Sequence, residues 1–470
     1  MATPDLGWAS AEELAALIRG KQVSPVEVVE AVLARIERLN GALNCFAAVT
    51  ADDARDAAVA AEVAVMTGEA LGPLHGVPVS IKDLVFTRRV PTTGGSRLFA
   101  DHVPEEDAVC VERLKGAGAI IIGKTTTPEF GHKAVTDSPL FGVTRNPWNP
   151  ALTPGGSSGG AGAAVAAGLG PLAVGTDGGG SIRVPASFCG IYGLKPSFGR
   201  VPQAAGFPGW ETLSHTGPMS RTVRDAALML DVIAGPDDRD RYSLPAAGRS
   251  FLAACEEDLA GLSVAWTPDL GYARVDPEVA DLCAAAAERF ESFGGHVEVV
   301  SPSWEDPEDI FRTLAAAETW SVWSDRLERD GEQMDRSLRA FLRFGAKVTA
   351  AQYLRAQRGR HELWTEVQRF LARFDLLITP TVAVPPFEVG RPGLNEVNGR
   401  PSSPLGWIPF CFPFNLTGQP AASVPVGFTR AGLPVGLQIV GRRHADHTVL
   451  AASAAFEAAQ PWADRRPPLG

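Results

Sequence analysis

Cysteine is scarce and scattered. Six stand at positions 45, 110, 189, 255, 283 and 411 of the 470 residues, with no CxxC pair and no tight spacing. That pattern argues against a disulfide framework and against a zinc site, and predicts reduced, mostly buried thiols. A basic excess is missing too. Against 54 Asp and Glu stand 43 Lys and Arg, a formal net charge of −11, and no block of like charge stands out, which argues against a broad nucleic-acid surface. Nor is there a long apolar run. The longest weakly polar stretch, Ala161 to Gly175, is interrupted by Gly162, Gly168, Gly170 and Pro171 and is too short to span a bilayer. The first residues, Met1-Ala2-Thr3-Pro4-Asp5, lack the basic-then-apolar layout of a secretory signal. A cytoplasmic location without membrane association is therefore expected.

What is present reads as an ordinary globular chain, with 45% hydrophobic and 21% charged residues. Ser10-x-x-Glu13 and Ser24-x-x-Glu27 are capping boxes, and Pro25 suits a first helical position. The second of these helices carries Val28, Val32, Ile36 and Leu39 at helical spacing, a face for packing on the protein's own core. From about Gly72 to Pro218 the composition shifts to glycine, proline and short β-branched runs. Strands are predicted at Val77–Ile81, Ala119–Ile122 and Leu172–Val174, with helices around Asp107–Gly116 and Gly160–Ala167. A strand at Leu262–Trp266, a helix between Asp276-Pro277 and Gly294-Gly295, and a strand at His296–Val300 repeat the theme. Residues 305–375 read as mainly helical; Asp375–Pro380, Ala422–Val426 and Leu437–Val440 return to strand. Strands alternating with helices indicate an α/β layer architecture. No low-complexity linker and no internal repeat divides the chain, so one domain over 1–470 is expected. Within it we distinguish N-terminal helices (8–65), a core (about 66–235), a variable region (about 255–370) and a C-terminal return to the sheet (371–470).

Two familiar patterns fail on context. Gly118-Ala-Ile-Ile-Ile-Gly123-Lys124-Thr125 satisfies the Walker A pattern, but its three isoleucines belong in a strand and not in a phosphate-cradling turn. Gly155-Gly-Ser157-Ser-Gly159 matches GxSxG. A nucleophile elbow must follow a buried strand directly, and Asn146-Pro-Trp-Asn-Pro-Ala-Leu-Thr-Pro154 holds three prolines. His444 and His447, the nominal bases, lie in a polar Arg-Arg-His-Ala-Asp-His segment that reads as a surface loop.

A less familiar set makes chemical sense. Two glycine–serine segments, Gly155–Gly160 and Gly178–Ser181, flank an alanine-rich stretch suited to a buried helix, and Lys82 ends the apolar strand Val77-Pro-Val-Ser-Ile. A serine hydroxyl needs a base, and a lysine shielded from water loses its preference for the charged form. A second serine can pass a proton between them, and a glycine run lets N–H groups point at a developing oxyanion.

These residues sit in longer blocks. Gly76-Val-Pro-Val-Ser-Ile-Lys82-Asp83, Gly155-Gly-Ser-Ser-Gly-Gly160, Asp177-Gly-Gly-Gly-Ser-Ile-Arg183 and Pro413-Phe-Asn-Leu-Thr-Gly-Gln-Pro420 are among them. With these blocks the chain resembles the amidase signature family from end to end, most like free-standing bacterial amidases such as aryl acylamidases and the hydrolases of nylon-type cyclic oligomers. The resemblance implies a large mixed β-sheet sandwiched between helices on both faces. It implies Ser181 as nucleophile, Ser157, held by a cis peptide, as bridging serine, and Lys82 as general base. Gly178, Gly179, Gly180 and Ser181 would form the oxyanion hole, with Ser158, Asp177 and Arg183 as supporting partners. Thr126 and Gly178 depart from residues common in the family, away from the triad.

The implied activity is hydrolysis of a carbonyl C–N bond in a small amide, carbamate or ester, needing no metal or organic cofactor, in a chain that could pair as a homodimer. The pocket is expected to involve Gly131, His132 as a polar edge, Phe207 and Trp210, with Trp320, Trp323 and Phe341 adding an apolar wall. The alternative is the glutamine-hydrolysing A subunit of a tRNA-dependent amidotransferase. There the motif usually reads Asp-Thr-Gly-Gly-Ser followed by a Leu-Asp-Gln segment, where this chain has Asp177-Gly-Gly-Gly-Ser181 and Leu213-Ser-His215.

Overall fold

Helix starts follow the local chemistry. In the computed structural model, which describes residues 5–469, Ser24 caps the helix Pro25–Leu43 and Glu27 closes the box by accepting the Ser24 N–H at 2.8 Å. At Ser10 only half of the expected box forms: its hydroxyl accepts from Glu13 N at 3.0 Å. The neighbouring N–H groups of Ala11 and Glu12 go instead to the Asp225 carboxylate, both at 3.0 Å. An acidic side chain from a distant helix thus satisfies the positive end of the helix Ala11–Arg19.

Eleven strands form one mixed sheet. In chain order they are β1 (Phe46–Val49), β2 (Pro78–Lys82), β3 (Ile120–Thr125), β4 (Leu172–Asp177), β5 (Tyr192–Lys195) and β6 (His215–Ser220). There follow β7 (Ser263–Trp266), β8 (His296–Val299), β9 (Leu376–Pro380), β10 (Ala421–Phe428) and β11 (Pro434–Gly441). Across the sheet the order is β1-β3-β2-β4-β6-β5-β10-β11-β9-β7-β8. β2 runs parallel to β3 and β4, and β7 runs parallel to β8 and β9.

Alternate residues of a strand face opposite sides, and both sides are covered. Val79, Ile81, Leu172 and Val174 are buried with Leu14, Val111 and Met229 from three helices on one face. On the other, Ala173 is buried with Ala161 and Val165 of the helix Gly159–Ala166 and Ala186 of the helix Arg183–Cys189. Each Val, Leu, Ile or Met side chain so buried contributes about 1.5–3 kcal/mol. The helix Gly159–Ala166 comes unusually close to its neighbours. A Cβ on Gly160 would lie 2.4 Å from Thr126 N and 2.7 Å from Cys45 O, both backbone atoms.

The expected strands are all present, several of them longer than expected. Three others were not foreseen: β1, β5 and β6. His215-Thr-Gly-Pro-Met-Ser220 is a poor strand by propensity, yet it pairs with β4 along its whole length. Pro218 is tolerated inside the sheet because pairing with β5 is confined to Met219 and Ser220. The Walker-like run is β3 itself, and buried Lys124 donates to Val85 O and Thr87 Oγ1. No strand leads into Ser157. The expected loop at His447 is corrected: it is buried near the start of the helix Asp446–Ala459, stacked on Phe251 at 4.4 Å. Residues 305–375 carry the helices Glu308–Asp330, Arg336–Gly345 and Ala350–Leu371. Among the described residues no helix is long and apolar enough to cross a membrane.

Candidate active site

Two parallel neighbours, β2 and β4, end on Lys82 and Asp177, so the segments leaving them emerge at the same edge of the sheet. Crevices outside the carboxyl ends of strands are where open α/β sheets bind ligands. The third component arrives from the side. Ser157 and Ser158 precede the helix Gly159–Ala166, the Gly156–Ser157 peptide is cis, and Ser158 N donates to Ser181 O at 3.1 Å.

Lys82 is fully buried. Its Nζ lies 2.7 Å from Ser157 Oγ, 2.8 Å from Thr176 Oγ1 and 3.3 Å from Thr176 O. Burial pushes the ammonium well below the ordinary lysine range, against the opposing pull of Asp177. A neutral amine retains two N–H groups and one lone pair. The two Thr176 oxygens can take the N–H groups and leave the lone pair for the Ser157 hydroxyl. Thr176 escaped the sequence reading, although it stands directly before the quoted Asp177.

Ser157 and Ser181 line the same cleft, 2% and 8% exposed respectively. Both side chains are thus nearly buried while bordering the cleft. The N–H of Gly180 is committed to Asp177 Oδ1 at 2.7 Å, and that of Ile182 to Asp177 Oδ2 at 3.1 Å. Those of Gly178, Gly179 and Ser181 carry no hydrogen bond to the described residues. Of the expected oxyanion segment, Gly178 and Ser181 line the cleft while Gly179 and Gly180 do not.

Asp177 shapes this loop because it is itself held. Burial alone would raise its carboxyl, but the Arg183 guanidinium outweighs burial and holds it well below the usual carboxylate range. Arg183 spends every N–H: Nε and Nη2 on Asp177, Nη1 on Cys411 O and Gln438 Oε1, Nη2 also on Asn415 Oδ1. Asn415 in turn donates to Asp177 O and Oδ1. Ser158 Oγ donates to Thr176 O and accepts from Thr176 N. Asn415 stands in the tail block Pro413–Pro420 and Gln438 in the expected strand Leu437–Val440, where nothing local marked either as a partner of Arg183.

The cleft encloses about 480 Å³. Gly131, His132, Phe207 and Trp210 all line it, as do Phe130 and Trp323, whose rings stack at 4.0 Å. Trp320 and Phe341 do not; Phe341 stands behind Trp210, with ring centroids 6.5 Å apart. His132 gives less of a polar edge than expected. Its Nδ1 meets Glu129 O at 2.8 Å and its Nε2 meets Ser337 Oγ at 2.6 Å, and burial pushes its pKa down to about 4. Both ring nitrogens are occupied. Among the described residues no group of three or more His, Cys, Asp or Glu is placed to hold a metal ion.

The sheet order and the Lys–Ser–Ser edge define a class, and the chain belongs to it: this is a member of the amidase signature family, matched by the amidase family profile over residues 27–450. It is an amide-hydrolysing enzyme. It is 41% identical to an acylamidase from Rhodococcus erythropolis over 99% of this chain and 98% of that one. Among solved structures it is similar to a bacterial aryl acylamidase of the amidase signature family, with TM-score 0.91 and 37% identity over 97% of both chains. Similar too is 6-aminohexanoate cyclic dimer hydrolase complexed with substrate, with TM-score 0.89 and 32% identity over 99% of both chains.

Proposed function

We propose that the chain hydrolyses the carbonyl C–N bond of hydrophobic or aryl amides, with carbamates and esters as further substrates, through an acyl-enzyme on Ser181. The observation that carries this reading is the buried Lys82 amine 2.7 Å from Ser157 Oγ, beside a cleft that both serines share. Ser181 Oγ attacks the carbonyl carbon while its proton passes to Ser157 Oγ, and the Ser157 proton passes to Lys82 Nζ. The carbonyl π pair moves onto oxygen, held by N–H groups of the Gly178–Ser181 segment that Asp177 has not claimed. Collapse breaks the C–N bond, and the departing nitrogen takes the proton returned from Lys82 through Ser157. Water then attacks the acyl-enzyme by the same route, releasing the acid and restoring Ser181.

We read the whole chain as one catalytic domain, because the oxyanion segment depends on Cys411, Asn415 and Gln438 from its last quarter. The glutamine-hydrolysing reading is less favoured, given the 41% identity with an acylamidase along nearly the full length. The test is labelling with a sulfonyl fluoride, peptide mass spectrometry of the adduct, and p-nitroanilide hydrolysis before and after. The expected adduct is on Ser181, with hydrolysis lost. Ser181→Ala should lower kcat by about a thousandfold or more. An adduct on Ser157 with Ser181→Ala still active would overturn the assignment.

A further inference from the structure

Gly178 opens the oxyanion segment, and something has taken the place of its side chain. A Cβ built on Gly178 would lie 2.4 Å from Cε3 and 2.9 Å from Cζ3 of Trp210, closer than real Cβ atoms approach. The benzo edge of the indole therefore rests on the glycine. The next residue repeats the arrangement, since a Cβ on Gly179 would lie 2.6 Å from Cζ of Phe311. Trp210 and Phe311 meet edge to face at 5.7 Å, and Phe311 stacks on Phe412 at 5.4 Å.

The indole is also held at its other end. Trp210 Nε1 donates to Thr319 Oγ1 at 2.8 Å, and that hydroxyl spends its own proton on Ala315 O at 2.7 Å. Thr319 can thus only accept from the indole. The Trp210 backbone is left-handed, with φ +58, and its carbonyl is tied to Leu213 N and Ser214 N. Non-glycine residues rarely adopt that conformation, so this turn sacrifices backbone comfort to aim one ring. The ring lines the cleft together with Gly178 and Ser181.

We propose that Trp210 is a specificity-determining residue for this enzyme, a fixed flat wall beside the scissile carbonyl that selects substrates carrying a planar aromatic group there. The glycine at 178 is the condition for that wall. The inference rests on the assignment of Ser181 as nucleophile and adds to the proposed substrate range the residue that narrows it to aryl compounds. An aryl group gains stacking contact along the indole face that a branched aliphatic group of equal volume cannot make.

The experiment measures kcat/KM for two amides matched in leaving amine, one with an aryl and one with a branched aliphatic acyl group, and a second pair with the aryl group on the amine. Trp210→Ala should lower the aryl-to-aliphatic ratio about tenfold in at least one pair, in line with an aromatic contact of this kind. Trp210→Phe, which keeps a flat ring, should retain most of the ratio and guards against a folding defect in the alanine variant. Gly178→Ala should lower the ratio in the wild-type background by displacing the ring, but should leave it unchanged in the Trp210→Ala background. General damage to the oxyanion segment cancels in a ratio of two substrates. Ratios unmoved in both pairs by Trp210→Ala, or lowered equally by Gly178→Ala in both backgrounds, overturn the proposal. Activity surviving Ser181→Ala would instead overturn the nucleophile assignment on which it rests.

Discussion

The segment from β2 to the helix Arg183–Cys189 and the helical region from Glu308 to Leu371 face the same cleft and are built on opposite plans. In the first, every residue of the helix Gly159–Ala166 is buried, so the helix has no outward face to vary. In the second, the helix Ala350–Leu371 buries only Ala356, Leu363, Val367 and Leu371, a single stripe at helical spacing. The first packs backbone against backbone, as Gly160 shows against Thr126 and Cys45. The second packs side chains, with Trp323 on Phe130 and Phe311 on Phe412. Reacting groups need fixed distances, and a core without side-chain freedom supplies them. A substrate wall needs shape, which amphipathic helices can change at little cost to the sheet.

The sharpest way to break this contrast is to add one methyl group to the small-residue core. Gly160→Ala must push against backbone atoms at 2.4 and 2.7 Å, and should cost about 3 kcal/mol. A drop of several degrees in the thermal midpoint would show it; an unchanged midpoint would mean that the helix is free to shift.

The next effect concerns charge. Because burial holds Lys82 well below the ordinary lysine range, the neutral base is lost as pH falls through that depressed value. Below it kcat/KM should drop about tenfold per pH unit, and a profile that stays flat down to the pH at which the protein unfolds would remove Lys82 as base. The same shift carries a stability cost. Below lysine's ordinary pKa of about 10.4 the unfolded chain binds a proton that the folded chain refuses, so stability falls as pH drops from there toward the depressed value. Lys82→Met should be inactive yet melt higher than the wild type at neutral pH, with the gain fading as pH approaches that ordinary value.

The smallest effect belongs to the outer helices. Leu354→Ala on the helix Ala350–Leu371 removes a side chain that is 66% exposed, and should change stability by less than about 0.5 kcal/mol with activity intact. A larger loss would point to a partner on that face.

The same contrast governs what could be read before the fold was known. The small-residue core announces itself in sequence, since glycine and serine at fixed spacing around Lys82, Ser157 and Ser181 leave few alternatives for tight backbone approach. Strands β5 and β6 stayed hidden because Gly193, Gly217 and Pro218 are poor strand formers that only the neighbouring strands make acceptable. Asn415 and Gln438 carry no local mark of their role, because their partner Arg183 is 232 and 255 positions away. The pocket was legible as a list of aromatics but not as an arrangement. Phe341 and Trp210 look alike in a sequence, and only packing shows that one stands behind the other.

The mooring of Arg183 has a consequence for the life of the chain. All the atoms of the proposed reaction are translated by residue 181, but Cys411, Asn415 and Gln438, which take three of the five guanidinium hydrogens, come at least 228 positions later. Until they emerge from the ribosome the guanidinium has its counter-charge, Asp177, but lacks the acceptors for three of its hydrogens. A chain that stops short of residue 411 therefore has the reacting side chains without the full set of contacts that braces the loop beside them.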